Sequence, residues 1–92
     1  MAYFTKRPVA IEAVQWLGDH WDEEPRPQWV SDAVEAGTLF YQGGAEPYWT
    51  VRTLEGDMRL PKYAWLLKGV EGELYPCANS VFAKTYERSR RA

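Results

Sequence analysis

The 92-residue sequence predicts a single α+β domain: a small, mostly antiparallel twisted sheet or open barrel of about six strands with one main helix. Three observations lead to that expectation. Short β-prone runs, separated by Gly, Pro and Asp, recur along nearly the whole chain. Only the stretch after Pro27 repeats its apolar residues clearly at helical spacing. Five Trp, six Tyr and three Phe, each ring able to bury roughly 150–250 Å², can fill the core of so short a chain.

The elements follow in order. Pro8 gives a definite start to a strand over residues 9–16, in which Val9, Ile11 and Ala13 fall on one face and Val14 and Trp16 on the other. Such a change of face predicts a bulge or a strand covered on both sides. Residues 18–27, with Gly18, four acids and two prolines, read as a loop, and Pro27 suits the first position of a helix. Trp29, Val30, Ala33 and Val34 give that helix its apolar face, and Gly37 supplies a left-handed stop.

Thr38 to Gln42 is β-prone, and Tyr48 to Leu54 alternates Trp49 and Val51 with Thr50 and Arg52. Glu55, Gly56 and Asp57 turn the chain into Met58–Leu60, with Gly56 at the position needing positive φ, and Pro61 ends that arm. A second hairpin runs from Ala64 to Val70 and from Glu73 to Cys77, hinged at Gly69 or at Glu71 and Gly72. Its alternation, Trp65 and Leu67 against Leu66, Lys68 and Val70, predicts one wetter face, with Val70, Leu74 and Cys77 turned inward. Asn79 or Ser80 is placed to cap a short helical turn through Val81 and Phe82, and the Arg-rich end is expected to fray.

Composition excludes several classes. A hydrophobic fraction of 46% beside 26% charge describes a globular domain, and a net charge of −2 provides no global field for nucleic acid or anionic membrane. Positive charge gathers at the ends, at Lys6 and Arg7 and at Arg88, Arg90 and Arg91. A single cysteine, Cys77, excludes an internal disulfide and fits a reducing compartment, and a single histidine, His20, removes the common zinc patterns. With no apolar run of about 18 residues and no signal-peptide pattern, a cytoplasmic location is expected.

Four motifs stand out: Arg-Pro-Val-Ala-Ile-Glu-Ala-Val-Gln-Trp at 7–16, Thr-Leu-Glu-Gly-Asp-Met at 53–58, Lys-Gly-Val-Glu-Gly-Glu-Leu-Tyr-Pro-Cys at 68–77 and Phe-Ala-Lys-Thr-Tyr-Glu at 82–87. In this order and spacing they resemble a family of small proteins of tailed phages and prophages. The resemblance spans most of the chain except its middle, and it implies a phage accessory protein acting in the host cell without implying a reaction. Members often carry Pro-Gly-Asp-Trp or Pro-Gly-Asp-Tyr before the Lys-Gly-Val run. Here Pro61-Lys62-Tyr63-Ala64-Trp65 stands instead, so no role of that Asp transfers.

Chemistry-bearing residues are sparse. His20 beside Asp19 and Asp22 reads as solvated loop charge before it reads as a metal or acid–base cluster. Ser31 and Ser80 lack a neighbouring base, and Cys77 reads as a buried, inert thiol. Glu12 and Glu73 are carboxylates in otherwise apolar strands, and Lys68 or Arg59 is the natural partner of each, either in cross-strand ion pairs or around a polar ligand. Of Trp16, Tyr63, Trp65, Tyr75 and Tyr86, three are expected in the core and one or two free to stack.

The candidate binding set is therefore Glu12, Trp16, Arg59, Tyr63, Trp65, Lys68, Glu73 and Tyr75, with no catalytic residue, cofactor or metal. The function expected is a non-enzymatic phage accessory protein that counteracts host defence, by sequestering a small nucleotide signal or by binding a host protein. A metal-dependent nucleotide or nucleic-acid hydrolase using Glu12, Glu73 or Asp57, and a virion or packaging-associated protein, are the alternatives. Homodimerisation is expected from surplus aromatics and exposed hairpin edges.

Overall fold

The computed structural model describes residues 2–4 and 10–87. The expectations for Lys6, Arg7, Pro8, Val9, Arg88, Arg90 and Arg91 lie outside the described residues. The elements run β1 (Glu12–Gln15), α1 (Gln28–Ala36), β2 (Leu39–Gln42), β3 (Tyr48–Thr53), β4 (Gly56–Pro61), β5 (Trp65–Lys68), β6 (Leu74–Cys77) and α2 (Asn79–Thr85). The α+β fold of six strands holds, with every strand pair antiparallel, and the strands divide into two three-stranded sheets. Their orders are β1-β5-β6 and β2-β3-β4.

Local chemistry accounts for the boundaries. Pro27, at φ −55°, is the N-cap of α1 rather than its first residue, and Gly37 closes it in the left-handed region at φ 78°. Gly37 N–H donates to Val34 and Thr38 N–H to Ala33, so the last turn is satisfied as the chain enters β2. Leu54 and Glu55 form a two-residue turn between β3 and β4, followed by Gly56 at φ 112°. Neither Asn79 nor Ser80 caps α2. Ala78 takes that position without a side-chain hydrogen bond, because the Asn79 side chain is drawn to the sheet instead.

The core lies between the two sheets and α1. Val14 and Leu66 face each other across β1 and β5, and Leu39, Val51 and Leu60 come from the second sheet. Val30 and Ala33 of α1 close the layer, joined by Trp16, Trp21 and Trp49. Trp49 sits at the centre of the rings, with centroids 6.3 Å from Trp16, 5.6 Å from Trp21 and 5.3 Å from Tyr41. Its indole N–H is buried without a partner among the described residues, which costs on the order of 1–3 kcal/mol against the area its ring buries.

The first sheet is covered on both faces, which corrects the wetter face expected of β5. Leu66 is fully buried toward the core, and Leu67 is fully buried on the opposite side, where Trp65 stacks on Phe82 of α2. The ring centroids of that pair are 4.0 Å apart with planes 9° from parallel, and Phe82 continues the stack to Tyr86 at 5.1 Å. Two inward assignments also change: Val70 lies in the hairpin loop and is 71% exposed, and Cys77, opposite Trp65, faces away from Leu74. No helix among the described residues is long and apolar enough to cross a membrane.

Candidate functional site

A groove of about 370 Å³ opens where α1, the end of β3 and the β5–β6 hairpin converge. Trp29, Asp32 and Ala33 of α1 form one wall, Thr38, Arg52, Thr53 and Leu54 another, and Lys68, Gly72, Glu73 and Leu74 the third. Leu74 packs on the core and anchors the hairpin, while Trp29 is half-buried and keeps part of its ring in the groove.

The hairpin loop is built so that Glu73 is held in place. Gly69 N–H donates to the Glu73 carbonyl at 2.8 Å, Gly72 N–H to Gly69 at 3.0 Å, and Gly72 takes the left-handed φ of 84° that the turn requires. The Glu73 carboxylate then folds back and accepts Glu71 N–H at 3.1 Å, lying over the bare Cα of Gly69. On the facing wall Asp32 accepts the Gln28 side-chain amide at 2.9 Å, four residues back on α1.

Both acids of the groove are thus engaged within their own elements, and neither cation is paired with a carboxylate among the described residues. The only ionic contact among the described residues is Asp19 with His20. Lys68 extends toward the Trp29 ring, 6.0 Å from its centroid, and the Arg52 guanidinium lies 5.8 Å from that of Phe40. Chemically, the groove offers the Lys68 ammonium, the face of an indole and carboxylates that can accept hydrogen bonds from a polar ligand edge, with Arg52 on its lining and its guanidinium over Phe40.

The charges expected to act together are split between the sheets. Lys68 and Glu73 line the groove, and Glu12 stands directly opposite Lys68 in the β1–β5 register, exposed and in no ion pair among the described residues. Arg59 belongs to β4 and lines a second groove of about 800 Å³ with Leu17, Asp19, Glu46, Tyr48 and Lys62. There its guanidinium lies over the Tyr48 ring at 4.3 Å. The cross-strand ion pairs expected for Glu12 and Glu73 do not form, since Lys68 turns to Trp29 and Arg59 to Tyr48.

The aromatic candidates also separate. Trp16 is 2% exposed and is core, not a platform. Trp65, Tyr75 and Tyr86 are half-buried under or within the α2 packing, and Tyr63 is 51% exposed with its ring near Lys62. Burial, and then a hydrogen bond with Tyr86, push the Tyr75 phenol up to about 12. Trp29, Asp32 and Arg52 were missed: Trp29 reads as one more core position of the helix and Arg52 as the polar half of a strand alternation. The signal that could have found them is the convergence of an N-terminal helix Trp with a strand-end Arg, which only tertiary structure reveals.

The remaining chemistry is quiet. Burial raises the Cys77 thiol, which favours its protonated form, and the half-buried Sγ lies 3.7 Å from the Ala78 carbonyl. His20 holds the exposed Asp19 carboxyl below its ordinary value through a hydrogen bond. Among the described residues no group of three or more His, Cys, Asp and Glu is placed to hold a metal ion. The chain matches no family model, and neither a curated protein nor a solved structure is significantly similar to it.

Proposed function

We propose that the protein is a non-enzymatic phage accessory protein that counteracts host defence by sequestering a small nucleotide signal in the groove between α1 and the β5–β6 hairpin. The phage assignment rests on the four sequence motifs. The ligand class rests on one observation: Lys68 reaches toward the Trp29 indole and Arg52 lines the same groove, neither in an ion pair among the described residues, while Asp32 and Glu73 are held by their own elements.

A nucleotide uses every part of that arrangement. Its phosphate pairs with the guanidinium and ammonium in charge-assisted bonds, with no carboxylate partner among the described residues to displace. Its base stacks on Trp29, a contact that contributes about 1–3 kcal/mol in single-strand binders. The amino edge of the base donates to the Asp32 carboxylate, the same pairing that carboxylates make with cytosine amino groups.

Calorimetric titration with a panel of mono-, di- and cyclic nucleotides tests this reading. A nucleotide that binds the protein and binds Arg52→Ala, Lys68→Ala and Trp29→Ala at least about tenfold more weakly, a loss of 1.4 kcal/mol or more, supports it. Absence of heat across the panel, or equal binding by all three variants, removes it.

A further inference from the structure

The open edge of the second sheet carries a self-complementary charge pattern. Among the described residues β4 pairs with β3 on one side only, and Gly56, Asp57, Met58 and Arg59 are all exposed. The two-residue turn makes Thr53–Gly56 a hydrogen-bonded pair, so by alternation Met58 and Leu60 also direct their backbone groups toward β3. Asp57 and Arg59 direct theirs outward, and neither makes another backbone hydrogen bond among the described residues. Their side chains share one face of the strand, and among the described residues neither is in an ion pair, although Arg52 stands directly opposite Asp57 on β3.

We infer that a second copy of this chain docks on that edge, β4 against β4, antiparallel and centred on Met58. A two-fold axis perpendicular to a sheet preserves its faces, so it must pass beside one residue and its own symmetry mate. Centring on Asp57 sets two carboxylates face to face, and centring on Arg59 sets two guanidinium groups face to face. Centring on Met58 sets Asp57 of one copy opposite Arg59 of the other, twice.

The backbone fits the same register. The two Asp57–Arg59 pairs each exchange both of their N–H and C=O groups, so every outward group of the two residues is satisfied. Met58, 46% exposed in the monomer, meets its symmetry mate at the intervening close pair, where side chains approach most nearly. Pro61 has no N–H to offer and ends the ladder. An edge this short buries less than the roughly 1,200 Å² of a standard interface, so the dimer is a weak one.

Charge exchange tests the register. Sedimentation velocity from roughly 10 μM to 1 mM, the range where weak association appears, should show a concentration-dependent dimer. Asp57→Arg and Arg59→Asp should each weaken it about tenfold or more, because each brings like charges together twice. An equimolar mixture of the two variants should form a heterodimer, since all cross-strand pairs are then opposite in sign, and a misfolded variant could not rescue its partner. A monomer throughout the range, a dimer indifferent to either reversal, or a mixture that stays monomeric overturns the inference.

Discussion

The Trp65 indole N–H donates to Asn79 Oδ1 at 2.9 Å, tying the first residue of α2 to β5. The same oxygen receives the Gln15 side-chain amide at 3.4 Å, so one acceptor joins α2 to two strands. Replacing Asn79 by Ala should cost about 1 kcal/mol, the value of a typical net hydrogen bond, and lower Tm by about 4–8 °C. Asn79→Asp, which keeps the acceptor, should lie close to wild type. Thermal melts of both variants check this, and equal losses would show that the helix cares about the amide rather than the acceptor.

Tyr63 presents the reverse case, a residue that costs stability where it stands. It takes φ 74° as the only non-glycine residue with positive φ among those described, and that conformation costs an ordinary side chain roughly 1–2 kcal/mol. Its backbone is fixed on both sides, N–H to the Trp16 carbonyl at 2.7 Å and C=O from the Gln15 amide at 3.0 Å, so the loop holds it there. Tyr63→Gly should raise Tm by a few degrees, since the half-exposed ring has little packing to lose. A fall in Tm would mean that the ring over Lys62 matters more than the strain.

What could be read from the sequence was what local chemistry decides. Pro27 and Gly37 bracket α1, and Gly56 marks the β3–β4 hairpin, because these residues restrict or extend φ wherever they stand. The partition of strands into two sheets could not be read, since β4 and β5 are separated by three residues yet belong to different sheets through packing at long range. That partition also moved Arg59 away from Lys68. Leu66 and Leu67 show a related limit: consecutive apolar residues say that both faces are covered without saying by what, and α2 supplies the second cover only through Trp65 and Phe82.

Tyr75 makes stability depend on alkaline pH. Its phenol, ordinarily near 10, is held up to about 12, mainly by burial and next by Tyr86. A group that binds its proton more tightly when folded contributes its full stabilisation below the unfolded value. That contribution therefore holds up to about pH 10 and is lost as pH rises through about 12. Chemical denaturation across this window should show a steeper alkaline decline for wild type than for Tyr75→Phe. Parallel curves would assign the decline to other groups.

The Gly69–Glu73 contact sets the charge of the groove. A Cβ on Gly69 would overlap the Glu73 carboxylate, and since that carboxylate is the free end of a flexible side chain, it can move without displacing backbone. Gly69→Ala should therefore release it from Glu71 N–H, at about 1 kcal/mol of stability, and leave a mobile anion beside Lys68. Glu73→Gln keeps an oxygen for Glu71 N–H and removes the charge. If the groove takes a phosphate, Gly69→Ala should weaken binding about 3–10-fold and Glu73→Gln should strengthen it by a similar factor, because the same anion is freed in one case and deleted in the other. Calorimetric titration of the two variants with the tightest nucleotide found for wild type gives the sign directly, and changes of the same sign would mean that Glu73 serves the loop and not the ligand.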